Sequence, residues 1–197
     1  MNDETPDEPL DDDEIGAIVD SSDPFVLSIR GMQAVEEVLN LAIAEVLAHP
    51  HYLEISRMNI ALKVDLGAAL GVVIDAPLLS IVNRLRNRFA HNRDAVLTQQ
   101  DARELVAAWP VVLRQDYLRD TPVAPTEVLA QSVFWLFVSL QAAVSRARDS
   151  KAEAQILGQM MLEALQKPRR TFDQRPSERF RDRLRQAQEE RRGRGLL

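Results

Sequence analysis

Residues 25–49 read FVLSIRGMQAVEEVLNLAIAEVLAH, and the spacing of their apolar side chains decides the fold. Phe25, Ile29, Met32, Val35, Val38, Leu39, Ala42, Ile43, Val46 and Leu47 recur at three and four, which is the period of one helical face. Asp23 is a good N-cap, and Pro24 fits the first helical position, where no backbone N–H is needed. Gly31 weakens the pattern without ending it, and Pro50 ends it.

Working outward, the same period recurs. Residues 55–72, ISRMNIALKVDLGAALGV, place Ile55, Met58, Ala61, Leu62, Leu66, Ala69 and Leu70 on one stripe, with Gly67 or Gly71 marking an end or a close helix contact. Asp75 and Pro77 open a helix over about 76–90, whose inner face is Leu78, Ile81, Val82, Leu85 and Phe89. Thr98-Gln-Gln-Asp101 resembles a capping box and opens another helix, interrupted at Pro110. TPVAPT, 121–126, reads as a linker. A helical segment follows from Glu127 to Lys167, with FWLFVSL apolar on more than one face and therefore central. It would span roughly 60 Å, long for this chain, and Ser150-Lys-Ala-Glu153 looks like a second capping box, so a break near Asp149-Ser150 is expected. Trp109, Trp135 and the Met160-Met161 pair lie in apolar patterns and are expected in the core. No segment alternates as a strand does. The expected fold is all-α, a bundle of five or six helices over 23–167.

Charge divides the chain in the same way. Residues 1–23 carry −10, residues 24–166 carry −2, and residues 167–197 carry +6. Residues 1–22 are expected to be a disordered acidic head, and 168–197 a basic, partly helical tail, with a short charged helix over 178–192. Arg169, Arg170, Arg179 and Arg183 are the tail's candidate nucleic-acid contacts, since arginines suit phosphates. With no cysteine, disulfides, thiolate catalysis and thiolate metal sites are excluded. The N-terminus lacks the pattern of a signal peptide, and no run approaches the 18 or so apolar residues of a span. A cytoplasmic protein with no membrane contact is expected. His49-Pro-His51 has no carboxylate at ligand spacing and reads as a helix end with a turn; no metal or cofactor is expected.

The chemistry sits in LRNRFAHNRD, 85–94. Arg86-Asn87-Arg88-Phe89-Ala90-His91 has the form arginine, polar residue, three others, histidine. This resembles the motif of the HEPN superfamily of helical-bundle proteins. The block from Leu62 to Val106, within a match over roughly 57–106, resembles the central block of mannitol operon repressor-like proteins: a helix leading to a Leu-Gly pair, a short turn, a helix ending in Leu-Arg-x-x-x-x-His, then a Thr-containing helix start. The resemblance implies a homodimer that acts as a regulatory or interaction module through protein contacts, and the charge of the tail adds RNA or DNA as an expected partner. An alternative it implies is a metal-independent endoribonuclease, toxin-like, with Arg86, Asn87 and His91 at a dimer interface, for which a protein partner or an antitoxin is the expected companion. A third reading is a scaffold tethered to nucleic acid by the tail.

The residues suit the nuclease reading. Histidine titrates near neutrality and can take a 2′-hydroxyl proton, while arginine offers phosphate a fork of fixed charge. Geometry sets a condition on it. Five residues along a regular helix leave Arg86 and His91 about 140° apart. They converge only if the helix stops short of His91 or a second copy supplies the complement. The bland reading stands beside these: a histidine at a helix C-terminus complements the dipole, and Arg and Asn suit a solvated face.

Overall fold

Asp23 begins the central helix as its chemistry requires. Its carboxylate Oδ1 accepts the Phe25 N–H at 2.8 Å, and α2 runs from Pro24 to Val46. In the computed structural model, residues 12–92, 94–117 and 124–166 are described. Among them are α1 (Asp12–Val19), α2, two 3-10 turns at Pro50–Tyr52 and Ile55–Arg57, α3 (Ile60–Ala69), α4 (Ala76–His91), α5 (Gln99–Ala108), α6 (Val111–Tyr117) and α7 (Pro125–Gln166). No described residue is in a strand. The all-α bundle is therefore the architecture.

The chain divides into two units, one ending at Glu153 and one spanning 154–197. In the first, α2 is the hub: α1, α3 and α4 pack on it, and α5 packs on α4. The core is aliphatic, with Leu27, Val35, Leu39, Ile43, Leu78, Leu85, Leu105 and Phe137 fully or almost fully enclosed. The inner stripe of α4 falls where its spacing places it, with Leu78, Val82, Leu85 and Phe89 buried.

Two glycines permit close approaches. A Cβ at Gly31 would meet Val133 Cγ1 at 2.8 Å, so α2 and α7 touch there backbone to side chain. Val133 is β-branched and cannot easily swing aside. Gly31→Ala should therefore lose about 1–2 kcal/mol in urea unfolding, the overpacking cost exceeding the helix propensity gained. Gly67 is tighter still, with Val73 Cγ2 at 2.6 Å, and Gly71 follows α3 at φ +74°, where glycine is at ease.

Several expectations are corrected. Residues 12–19 are not disordered: Ile15 and Ile18, spaced by three, are buried and anchor α1 against α2. Residues 1–11 lie outside the described residues. The helix expected over 55–72 is shorter, preceded by a 3-10 turn, and its inner face is shifted by one: Leu62 is 49% exposed while Lys63 is fully buried. Asn59, not an apolar residue, sets its start by accepting the Leu62 N–H at 2.9 Å. Phe25 is exposed rather than on the inner stripe. The residues after Pro110 form α6, and α7 begins at Pro125 inside the expected linker. There is no break at Asp149-Ser150. Helix α7 runs unbroken, because Ser150 and Glu153 are compatible with a helix interior and no Gly or Pro interrupts them. Over Pro125–Leu162 it contains an 18-residue window of mean hydropathy 1.6, apolar and long enough to cross a membrane, half of it buried by the protein itself. Trp109 is in the core as expected, with its indole N–H donating to Ser132 at 2.8 Å. Met161, by contrast, is 64% exposed.

Candidate functional site

Helix α4 is fixed at both ends by side chains from elsewhere. At its start, the Trp135 indole donates to the Asp75 carboxylate at 2.7 Å, so the side chain of this N-cap residue bonds to α7 and not to its own helix. At its end, Arg88 reaches α5. Its two Nη atoms donate to Asp101 Oδ1 and Oδ2 at 2.9 and 2.8 Å, and Nη2 also donates to the Val96 carbonyl at 3.2 Å. The guanidinium carbon lies 5.6 Å from the centre of the Phe89 ring.

Asp101 serves two partners at once. Its Oδ2 accepts from the Thr98 N–H at 2.8 Å and the Thr98 hydroxyl at 2.7 Å, while its own N–H donates to Thr98 Oγ1. This is the expected capping box, with the shorter Asp in the third position. Burial by itself would raise the Asp101 carboxyl; the hydrogen bonds from Arg88 and Thr98 outweigh it and bring it down to about 2. The same bond to Asp101 raises Arg88 above its ordinary value. One turn back on α4, Arg84 pairs with Glu104 of α5. The hydrogen bonds from Gln100 and Arg84 hold Glu104 below the usual carboxylate range.

Arg88 is thus the arginine that the fold uses, and Arg86 is the one it leaves outward. Arg86 is exposed and donates through Nη1 to Asn87 Oδ1 at 3.0 Å. His91 is exposed and is the last residue of α4, with Asn92 as C-cap. Because the helix continues through His91, the two side chains leave it about 140° apart. Arg86 and Asn87 are brought together within the protomer; Arg86 and His91 are not. Between their directions lie Asn83 and Asn87, both half-buried, and exposed Ala90. The outward face of α4 is therefore a shallow polar strip with a small residue at its centre and Arg86 and His91 at its two margins.

A groove of about 290 Å³ lies elsewhere, between the end of α2, the turn after α3 and α7, lined by Glu45, Val46, Gly71, Arg146 and Lys151 among others. None of Arg86, Asn87 or His91 lines it. At its rim Arg148 and Lys151 donate to Glu45 at 2.9 and 3.1 Å. The bond from Arg148, joined by that from Lys151, holds Glu45 below its ordinary value against the opposing effect of burial. The rings of His49, His51 and Tyr52 cluster at the first 3-10 turn, with His49 and His51 centred 5.9 Å apart. Among the described residues no three histidines or carboxylates gather as metal ligands would. Arg169, Arg170, Arg179 and Arg183 lie outside the described residues.

Sequence reasoning overlooked Arg88 and Asp101 as a pair. The signal was present, since Thr98-x-x-Asp101 announces a cap and Arg88 precedes it by one short loop, but nothing local tells which of Arg84, Arg86 and Arg88 turns towards α5. No family model, no curated protein and no solved structure matches this chain.

Proposed function

We propose that the protein is a regulatory or interaction module of the mannitol operon repressor-like type, which works by binding a protein surface on the outward face of α4. The observation that carries this reading is the arrangement on that face. Arg86 and His91 stand about 140° apart on an unbroken helix, at the margins of a strip formed by Asn83, Asn87 and Ala90. A flat surface laid on the strip meets both margins at once. A single reacting atom within one protomer meets only one. The strip is polar at its rim and small at its centre, so another helix can approach closely. A second copy of this chain is the partner that the reading favours, because a two-fold axis over Ala90 makes the strip self-complementary.

The test is the native mass of the full chain beside Ala90→Arg and Asn83→Arg. Wild type should be a dimer and both variants monomers with unchanged helical content. A monomeric wild type that also captures no protein partner through this face would refute the reading.

A second reading has its own support. Arg86 and His91 are both exposed, so a second copy can bring one chain's arginine to the other's histidine. In an endoribonuclease of this design, His91 accepts the 2′-hydroxyl proton, Arg86 stabilises the phosphate, and Asn87 holds the guanidinium through its 3.0 Å bond. Mixed-sequence labelled RNA in excess EDTA decides between the two. The nuclease cleaves it, and Arg86→Ala or His91→Ala each lowers the rate at least ~100-fold. Intact RNA with all three proteins leaves the regulatory reading in place.

A further inference from the structure

The groove of about 290 Å³ between the end of α2, the turn after α3 and α7 has no part in the α4 face, and its lining is of two kinds. Val46, Leu70, Val72 and Ala143 supply apolar surface, with Val46 39% exposed. Arg146, Ser150 and Lys151 supply donors, and Glu45 is the one carboxylate among the lining residues. A cleft near the lower end of the roughly 300–1,000 Å³ range suits a small molecule, held by apolar contact and oriented by a few polar groups.

Charge selects the ligand. Glu45 is already occupied, since Oε1 accepts from Arg148 Nε at 2.9 Å and Oε2 from Lys151 Nζ at 3.1 Å. A carboxylate paired twice offers an amine little. The cations are not exhausted by it. Arg148 spends only Nε on Glu45, so both Nη groups remain, and Lys151 keeps two of its three N–H groups. Arg146 makes no hydrogen bond or ion pair among the described residues. Three cations therefore stand against one carboxylate, an excess of two positive charges at the groove. Asp149, beside Arg148 in the chain, does not line it. A phosphate monoester carries about two negative charges near neutrality and matches that excess, whereas a carboxylate supplies half of it. The guanidinium fork suits phosphate oxygens in particular. Inorganic phosphate matches the charge and leaves the apolar lining in water.

We propose that this groove binds a small phosphate monoester with an apolar body, its phosphate gripped by Arg146 together with Lys151 and Arg148, and its body resting on Val46, Leu70 and Val72. The Ser150 hydroxyl is a further donor for the phosphate oxygens. Because the ligand touches α2, the turn after α3 and α7 at once, it stabilises the folded chain in proportion to its occupancy. This site is separate from the α4 face and does not depend on its assignment.

Isothermal titration of the full-length protein at low salt, with phenyl phosphate as the probe, tests the proposal. Phenyl phosphate should bind with a sub-millimolar Kd, and inorganic phosphate and benzoate should each bind at least roughly tenfold more weakly. Arg146→Gln alters an exposed side chain that holds nothing else in place. It should weaken phenyl phosphate roughly tenfold or more. Val46→Gln should weaken phenyl phosphate roughly threefold and leave inorganic phosphate unchanged. Both variants should keep the wild-type circular dichroism. Three results would each overturn the proposal: no binding of phenyl phosphate at millimolar concentration, benzoate bound as tightly as phenyl phosphate, which would make the groove a site for monoanions, or binding indifferent to Arg146→Gln, which would place the phosphate outside the groove.

Discussion

Replacing Glu36 by Ala should destabilise the protein by about 2–4 kcal/mol, whereas replacing its partner Lys63 by Met should change stability by less than about 1.5 kcal/mol. The asymmetry follows from where the two charges sit. The Lys63 side chain is fully enclosed between α2 and α3, and its Nζ donates to the Glu36 carboxylate and, at 3.5 Å, to the Ser56 carbonyl. The Glu36 side chain is 33% exposed. Without Glu36 the buried ammonium keeps one distant carbonyl, and the cost of desolvating it is uncompensated. Without Lys63 the carboxylate turns to water, and methionine fills the lysine's volume with apolar atoms. The expected loss lies towards the lower part of the range for buried pairs, because solvent reaches Glu36. Urea unfolding of the two single variants and the double variant measures this. Equal losses from the two single substitutions would show that the pair behaves as a surface ion pair.

Lys63 also shows where sequence reading reached and where it stopped. Asp23, Thr98 and Asp101 were legible because a capping residue acts on N–H groups two or three positions away, and that chemistry is complete within the quoted stretch. The inner face of α4 was legible because five large apolar residues agree on one direction. On α3 the period alone favoured Leu62, and the structure turns Lys63 inward. A buried lysine becomes acceptable only beside a carboxylate, and that carboxylate is 27 positions away on α2. The same holds for Arg88, whose neighbours Arg84 and Arg86 are equally basic: the choice belongs to the angle at which α5 meets α4. Helix α1 was hidden by the acidic residues around Ile15 and Ile18, since charge density outweighs two apolar residues in any compositional reading. The continuity of α7 was hidden for the opposite reason. Ser150 and Glu153 fit a helix start, and they fit a helix interior as well, so only the path of the chain distinguishes the two.

Lowering the pH should remove about 2 kcal/mol that the Asp101 carboxylate contributes near neutrality. Its value in the folded protein is depressed from 3.8 to about 2. A carboxyl depressed by folding stabilises fully above its unfolded value, and that stability is lost as the pH falls through the folded one. The loss therefore runs from about pH 4 down to about pH 2, and stability at neutral pH is untouched by it. Asp101→Asn should flatten this part of the acid limb. At neutral pH it should cost about 2–4 kcal/mol, because a neutral amide cannot accept both Arg88 N–H groups and both Thr98 donors. Urea midpoints of wild type and Asp101→Asn between pH 7 and 2 measure both effects, and parallel curves over the acid range would show that Asp101 is not the group that titrates. The consequence reaches the α4 face. Arg88 and Asp101 tie the last turn of α4 to the first turn of α5, and His91 lies one turn beyond Arg88. Loosening that tie frees the end of the helix that carries Ala90 and one margin of the strip, while Asn83 keeps its place. If the proposed α4 dimer forms, Asp101→Asn should accordingly weaken it by roughly tenfold, although Asp101 is no part of that face, and Thr98→Ser, which preserves the cap, should not.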